Sequence, residues 1–427
     1  MMLMYQSTRS ILRTKRCYTT FEKLGISPLT CQKLESKFNI TRPTLAQEEF
    51  IPTLVQGRRH LLLRDRTGTG KTFGTALTLA SAIPDSVCKS VHALYIVPNQ
   101  ELAFQIGSWI QQLTTHEHNF KVMANTDQFD LSVIPHTVVG TPARILDSVS
   151  QGHLPVHALE RLVLDEADQA LSLPKRYATA RQQHKRAAHP KPAEILLDRL
   201  STLNHQTMIS SATLNRPLRY FLQQKGWVKD PLFVDLVHGS QLDDERNATV
   251  QHHCLVISDD AIRNIEQSKE DVISKDKQVQ FDDIDDRMME SVAVLQEIEP
   301  VSNGILFVGP TVSVASVKTK LAEHGITAED IKEFNGVPKS KDTLWIATEF
   351  TARGVDIPGV SHVFILGKPV SVTSYLHMAG RTGRFGPSGF ASGKVINLVR
   401  EHGWTESKML NMYDLLNIPI EKYQHVE

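Results

Sequence analysis

Ten short apolar runs punctuate the chain, each three to five residues long and bounded by polar or turn-forming residues. The first half holds His60 to Leu63, Ala93 to Val97, Thr137 to Val139, Leu162 to Leu164 and Thr207 to Ile209. The second half holds His253 to Ile257, Gly304 to Val308, Leu344 to Ala347, His362 to Leu366 and Lys394 to Leu398. The longer segments between them carry apolar positions at helical spacing. Such a run, followed by an amphipathic stretch, has the pattern of a strand buried on both faces of a parallel sheet. Strands alternating with helices predict an α/β fold. Two similar five-strand sets predict two such domains, residues 19–240 and 246–427, with the join near Asp235 to Arg246.

Three segments break this rhythm. Pro174 to Arg199 holds seven Lys or Arg against two acids, and its three prolines interrupt any long helix. Asp259 to Glu299 holds 13 carboxylates against five basic residues. Its middle, Ser268 to Asp286, lacks apolar periodicity, which predicts a solvated, mobile loop. Residues 1–18 carry Arg9, Arg13, Lys15 and Arg16 and no acid. Three of those arginines fall on one helical face, with Leu3, Met4, Ile11 and Leu12 supplying apolar surface, so this stretch reads as a mitochondrial targeting peptide. The expected location is the mitochondrial matrix.

Composition adds limits. With 427 residues and 41% hydrophobic positions, the chain is long enough for two or three ordinary globular domains. No stretch approaches the roughly 18 to 20 apolar residues of a membrane span. The four cysteines are too scattered for a zinc site or a disulfide framework. Lys plus Arg and Asp plus Glu both number 47, a balance that by itself argues against a nucleic-acid binder. The balance is a sum of unlike parts, however: a basic leader, a basic insertion and an acidic segment. Charge position therefore bears on binding more than net charge does.

Chemistry concentrates after two of the strand runs. Asp65-Arg66-Thr67-Gly68-Thr69-Gly70-Lys71-Thr72 follows the first strand and precedes a helical run. In that context Thr67 to Gly70 form a phosphate loop, Lys71 neutralises β/γ phosphates of ATP, and Thr72 offers a hydroxyl to Mg2+. Asp65 stands where a small residue is usual, and would have to turn outward or pair with Arg64 or Arg66 to avoid repelling a triphosphate. Leu162-Val163-Leu164 then runs into Asp165-Glu166-Ala167-Asp168, placing carboxylates at the strand end where open α/β sheets bind ligands. Asp165 can hold Mg2+, and Glu166 can orient and deprotonate an attacking water.

The tetrad Asp165 to Asp168 resembles the signature of the DEAD-box family of ATP-dependent RNA helicases, and further motifs follow in that family's order. Phe21, then Asn39, Pro43-Thr44 and Gln47 are similar to its adenine-reading element, which implies that Gln47 bonds the adenine edge and Phe21 stacks on the ring. Pro98-Asn99-Gln100-Glu101-Leu102-Ala103 and Thr141-Pro142-Ala143-Arg144 resemble two RNA-backbone motifs, and Ser211-Ala212-Thr213 resembles the element coupling hydrolysis to RNA binding. In the second half, Ile305 to Val308 resembles the opening strand motif. Ala347-Thr348 through Ala352-Arg353-Gly354-Val355-Asp356 is similar to the motif touching RNA phosphate and, through Asp356, the ATP ribose. His377 to Arg384 resembles the arginine-finger motif, with Arg381 and Arg384 reaching the γ-phosphate.

The resemblance implies two tandem RecA-like domains with parallel β-sheets, with ATP, Mg2+ and RNA bound across the cleft between them. The implied RNA contacts are Pro98, Asn99, Thr141, Arg144 and Thr348, and the implied catalytic groups are Lys71, Asp165, Glu166, Arg381 and Arg384. Five positions depart from the family pattern: Asn39 for glycine, Asp65 for a small residue, Gln100 for arginine, Glu349 for aspartate and Met378 for arginine. Neither a Gln-x-x-Arg motif between Gly325 and Phe334 nor a Gly-Gly pair near Thr126 is found. The departures fall mainly on RNA-contacting motifs. Weak ATP turnover is therefore expected, with RNA grip supplemented by Lys175, Arg176, Arg181, Lys185 and Arg186. The expected function is a monomeric helicase remodelling RNA or ribonucleoprotein in mitochondria, with structured ribosomal RNA and pre-ribosomal particle proteins as partners in large-subunit assembly. The alternatives are a non-catalytic RNA-binding assembly factor, a helicase for intron splicing or mRNA turnover, and a DNA helicase.

Overall fold

Adjacent residues of β1 (Leu61–Arg64) enter opposite cores: Leu61 and Leu63 pack on one face of their sheet, Leu62 on the other. The same alternation divides Tyr95 from Leu94 and Ile96 in β2 (Ala93–Ile96), and Val163 from Leu162 and Leu164 in β5 (Arg161–Leu164). Strands apolar at every position thus sit in the middle of a sheet covered on both sides, as the unbroken runs predict. The computed structural model describes residues 19–426 apart from 66–67, 126–132, 175–177, 237–249, 267–285, 337–339, 341, 353–354, 356, 387–388, 402–404 and 417.

The first sheet has seven parallel strands in the order β3-β4-β2-β5-β6-β1-β7, adding β3 (Phe120–Met123), β4 (Thr137–Gly140), β6 (Gln206–Ser211) and β7 (Leu232–Asp235). Helices α1 (Pro28–Phe38), α2 (Leu45–Gln56), α3 (Lys71–Ser81) and α4 (Gln100–Leu113) cover one face with their apolar residues. The other face carries α5 (Pro142–Ser150), the short α6 (Ala167–Leu171), α8 (Pro192–Leu200) and α9 (Arg216–Gln224). Between α6 and α8 lies α7 (Ala180–Ala188), so the basic insertion does contain broken helices, with Pro192 opening α8.

The second sheet runs β11-β12-β10-β13-β16-β8-β9. Its strands are β8 (Val250–Ile257), β9 (Ile262–Asn264), β10 (Ile305–Phe307), β11 (Ala328–Asp330), β12 (Leu344–Ala347), β13 (His362–Leu366) and β16 (Gly393–Arg400). All pairings are parallel except β8 with β9. A small hairpin of β14 (Phe385–Gly386) and β15 (Gly389–Phe390) precedes β16. Helices α10 (Asp286–Ile298) and α11 (Val314–Glu323) cover one face; α12 (Val372–Ala379) and α13 (Thr405–Leu416) cover the other. These are two RecA-like domains. Residues 1–18, Lys175, Arg176 and nearly all of Ser268 to Asp286 lie outside the described residues, as does most of the join.

Candidate active site

Gly68 and Gly70 take positive φ angles of 81° and 89°, turning the chain from β1 into α3, whose first residue is Lys71. A side chain at Gly70 would collide with Gln47 Nε2 at 2.8 Å, so the loop is packed against α2 as well as bent. The loop N-H groups and the α3 N-terminus form an anion-binding end. Lys71 is buried and donates through Nζ to the Asp65 carbonyl at 3.0 Å. Of the two ways the sequence offered for Asp65, it does not turn outward, and Arg66, one of the two pairing partners, lies outside the described residues. Asp65 is 2% exposed, and Arg64 pairs instead with Asp235 at 3.3 Å.

Asp165 follows β5 and is also 2% exposed, held by four hydrogen-bond donors. Thr72 Oγ1 donates to Oδ2 at 2.6 Å, Ser210 Oγ to Oδ1 at 2.7 Å, and the Glu166 N-H to Oδ1 at 2.9 Å. The Tyr95 hydroxyl lies 3.1 Å from Oδ2 and 3.2 Å from the Thr72 carbonyl, and can give its one proton to either. Burial, reinforced by the Asp165 charge, pushes that phenol well above its ordinary range, so it stays a donor. Neither role shows in the sequence: Tyr95 sits inside an apolar strand run, and Ser210 falls between the run ending at Ile209 and the Ser211-Ala212-Thr213 motif. Three residues beyond Ser210 the pattern continues: Thr213 Oγ1 donates to Asp168 Oδ2, and the Thr213 N-H donates to Ser211 Oγ.

Glu166 has left-handed backbone angles of φ 47° and ψ 48°, a strained conformation for a residue with a side chain. That turn points its carboxyl into the cleft. Burial raises its pKa; His377 and Arg381 pull it down, while Asp165 and Asp168 push it up, and the net direction is upward. A carboxylate so tuned can accept a proton from water at neutral pH.

The second domain supplies the facing wall. His377, near the end of α12, is 6% exposed and meets the Gln169 amide of α6 at 3.2 Å. Its other neighbour is Glu349, whose Oε1 lies 3.6 Å from Nδ1 and whose Oε2 accepts from Ser374 Oγ. Arg381 Nη1 donates to the Val355 carbonyl at 3.0 Å, and Arg384 Nε to the Gly380 carbonyl at 3.3 Å. Met378 is buried in the second-domain core, where the resemblance would place an arginine. A cavity of about 310 Å3 joins the domains, lined by Gln47, Gly68, Gly70, Lys71, Thr72, Asp165, Glu166, His377, Arg381 and Arg384 among others.

One wall of this cavity is apolar and aromatic. Phe38 and Trp109 each stack edge-on against Phe73, with ring centroids 5.2 Å apart in both pairs. Asn39 ends α1 at φ 54°, the left-handed turn that a glycine would also make, and Phe38, the last residue of α1, lines the cavity. Phe21, expected to stack on adenine, is not there. It is 3% exposed in the first-domain core with Leu24, Ile26 and Phe50, because the segment before α1 closes over the sheet helices. Gln47 does line the cavity. Its Oε1 accepts from the Thr44 N-H at 2.9 Å and its Nε2 donates to the Gly70 carbonyl at 3.1 Å, tying α2 to the phosphate loop.

The residues expected at RNA stand at strand ends on the same sheet edges. Pro98 and Asn99 follow β2, Thr141 and Arg144 follow β4, and Thr348 follows β12. The Val97 N-H bonds the Gly140 carbonyl at 3.0 Å, bringing the first two ends together. Asn99 Oδ1 accepts from the Leu102 N-H at 2.9 Å, and Thr348 is bonded to Thr351, so their side chains shape the loops locally. Thr67 and Asp356 lie outside the described residues.

A DEAD/DEAH box helicase family model matches residues 44–221, and a helicase conserved C-terminal domain model matches residues 311–386, together more than half the chain. This chain belongs to the DEAD-box helicase family. The helicase is 29% identical over 419 residues to the DEAD-box ATP-dependent RNA helicase CshA of Bacillus cereus, covering 92% of this chain and 70% of that one. Its fold is similar to S. cerevisiae Dbp5 bound to RNA and ADP BeF3, with 20% identity, 94% of each chain covered and a TM-score of 0.66. It is equally similar to Mss116p bound to ssRNA and AMP-PNP, with 20% identity, 96% of this chain and 80% of that chain covered and a TM-score of 0.69. The protein is an ATP-dependent RNA helicase that uses ATP and Mg2+.

The donor set fits that metal. Thr72 and Asp165 would hold Mg2+, a hard cation that keeps several waters and takes few protein ligands beside substrate phosphates. The ion would neutralise charge on the β- and γ-phosphate oxygens.

Proposed function

We propose that this helicase couples ATP hydrolysis to closure of its two domains on a short RNA strand, with the phosphates on Lys71 and the phosphate loop, and with Glu166 as the base for the attacking water. The observation that carries this reading is the convergence on Glu166: its own domain gives it a strained, half-buried seat, and the other domain brings His377 and Arg381 into its field. Arg381 and Arg384, on the far wall, stabilise charge on the transferring phosphoryl group only when the domains meet. RNA at the strand ends of both sheets would be gripped through backbone groups, hydroxyls and Arg144, which read phosphate and ribose more than base. Closing bends the strand and melts a few base pairs, and hydrolysis reopens the cleft.

The finer proposal is mitochondrial: residues 1–18 direct the chain to the matrix, where it acts as a monomer on structured ribosomal RNA and pre-ribosomal particles of the large subunit. Its support is the acid-free, arginine-bearing leader. Fusion of residues 1–18 to a fluorescent reporter should send it to mitochondria, and crosslinking in organello should recover large-subunit ribosomal RNA. A cytosolic reporter, or crosslinks confined to introns or messages, would refute the respective part.

A further inference from the structure

Both carboxylates of the basic insertion are engaged by neighbouring side chains, Glu194 buried and Asp198 at the surface. Glu194 takes ion pairs from Arg186 and Lys225, each at 2.8 Å, and Asp198 accepts from Lys225 at 3.2 Å and Trp227 Nε1 at 2.8 Å. Residues 174–193, by contrast, hold six Lys or Arg and no acid. Arg186 has a further bond, to the Leu171 carbonyl at 2.9 Å, which ties α7 to the end of α6, the helix that begins beside Glu166. Arg186 was grouped with the RNA-gripping cations in the sequence; the structure makes it the anchor instead.

The opposite side of α7 is different. None of the helix is buried, so core packing does not account for it, and a capping box between Thr179 and Gln182 defines its start. Arg181, His184 and Lys185 are exposed and, at spacings of three and four, share one face, while Arg186 is about 100° around the helix from Lys185. The Arg181 and Lys185 side chains make no ion pair with a described residue. This helix is pinned by one arginine and carries no acid, the carboxylates of the neighbouring α8 are paired, and its remaining cations face out, so its outer face suits an anion.

We propose that the outer face of α7 binds phosphates of the RNA strand where it continues beyond the inter-domain cleft. The proposal rests on the helicase reading of that cleft. Charge complementarity selects the occupant, and position agrees: α6 follows β5 at the sheet edge where Pro98 and Asn99 follow the neighbouring β2, and Arg186 ties α7 to the far end of α6. Such binding would give a chain with no net charge, and with departures such as Gln100 in its RNA motifs, a further hold on a long strand.

The test compares the full-length protein with R181Q/K185Q, using an oligouridylate of about six nucleotides and one of about 25, with a non-hydrolysable ATP analogue. On the long RNA the variant should bind several-fold more weakly, with a log-log salt slope shallower by about 1.4, since each single-strand phosphate contact contributes about 0.7. Affinity for the short RNA, ATPase activity with it, and the melting temperature should not change, and the charge-conserving R181K/K185R should keep the wild-type slope. An unchanged slope and affinity on the long RNA overturns the proposal, as does an equal loss on both RNAs, which would put these cations in the cleft. Loss of polyglutamate binding with RNA binding intact would assign the face to acidic protein and overturn it too. Failure of the wild type to bind even the short RNA would refute the cleft reading itself.

Discussion

The Gln169 amide and the His377 imidazole lie 3.2 Å apart, linking the residue after the Asp-Glu-Ala-Asp tetrad to the arginine-finger segment of the other domain. Glu349 stands behind His377 and is itself held by Ser374. Glutamate at this position, where an aspartate is usual in the family, thus reaches a group that senses domain closure. Gln169→Ala should therefore weaken the closed state while leaving the phosphate loop intact. One lost neutral hydrogen bond is worth about 1 kcal/mol, or roughly fivefold. The expected outcome is a fivefold rise in the RNA concentration for half-maximal ATPase, with ATP affinity in the open state unchanged by equilibrium titration. A fall in ATP affinity alone would contradict the link.

Lys71→Ala and Glu166→Gln should both abolish RNA-stimulated ATP hydrolysis, but for different reasons. The first removes a charge that binds phosphate; the second keeps the binding and removes the base. General-base loss typically costs about 10²- to 10⁴-fold in turnover. Glu166→Gln should therefore retain nucleotide and RNA in a long-lived closed complex, measurable by filter binding. Normal turnover in both variants would overturn the enzymatic roles assigned here.

The pH dependence follows from the raised pKa of Glu166. A base must be deprotonated to act, so turnover should fall as pH drops through a value above the ordinary 4.5, mainly because burial disfavours the carboxylate. His377 and Arg381 favour the charged form, so replacing His377 with glutamine should move the acid limb of kcat/KM still higher. A limb at or below 4.5, or one that moves down in His377→Gln, would contradict this picture.

Tyr95→Phe tests the support beneath Asp165. The ring stays in its core position and only the hydroxyl is lost. Hydrogen bonds to charged groups are worth about 1.5 to 3 kcal/mol. The variant should need more Mg2+ for half-maximal ATPase and should lose thermal stability by a similar free energy. An unaltered Mg2+ dependence would reduce Tyr95 to a packing residue.

All ten apolar runs in the sequence became strands, and the phosphate loop and carboxylate tetrad landed at the strand ends where the pattern placed them. Those features are local: an interior strand of a parallel sheet must be apolar on both faces, and a phosphate loop must be small and flexible. The strands that escaped notice include the four sheet edges: in β3, β9 and β11 polar residues interrupt the apolar pattern, whereas β7 has a short apolar run, Leu232 to Val234, that was missed beside the domain join. Tertiary structure alone decided the rest. It put Phe38 in the cavity and Phe21 in the core, placed Tyr95 and Ser210 on Asp165, and turned Arg186 inward while Arg181 and Lys185 face out. Residue type sets what a side chain can do, but its partners come from segments far away in the chain, and only packing brings those together.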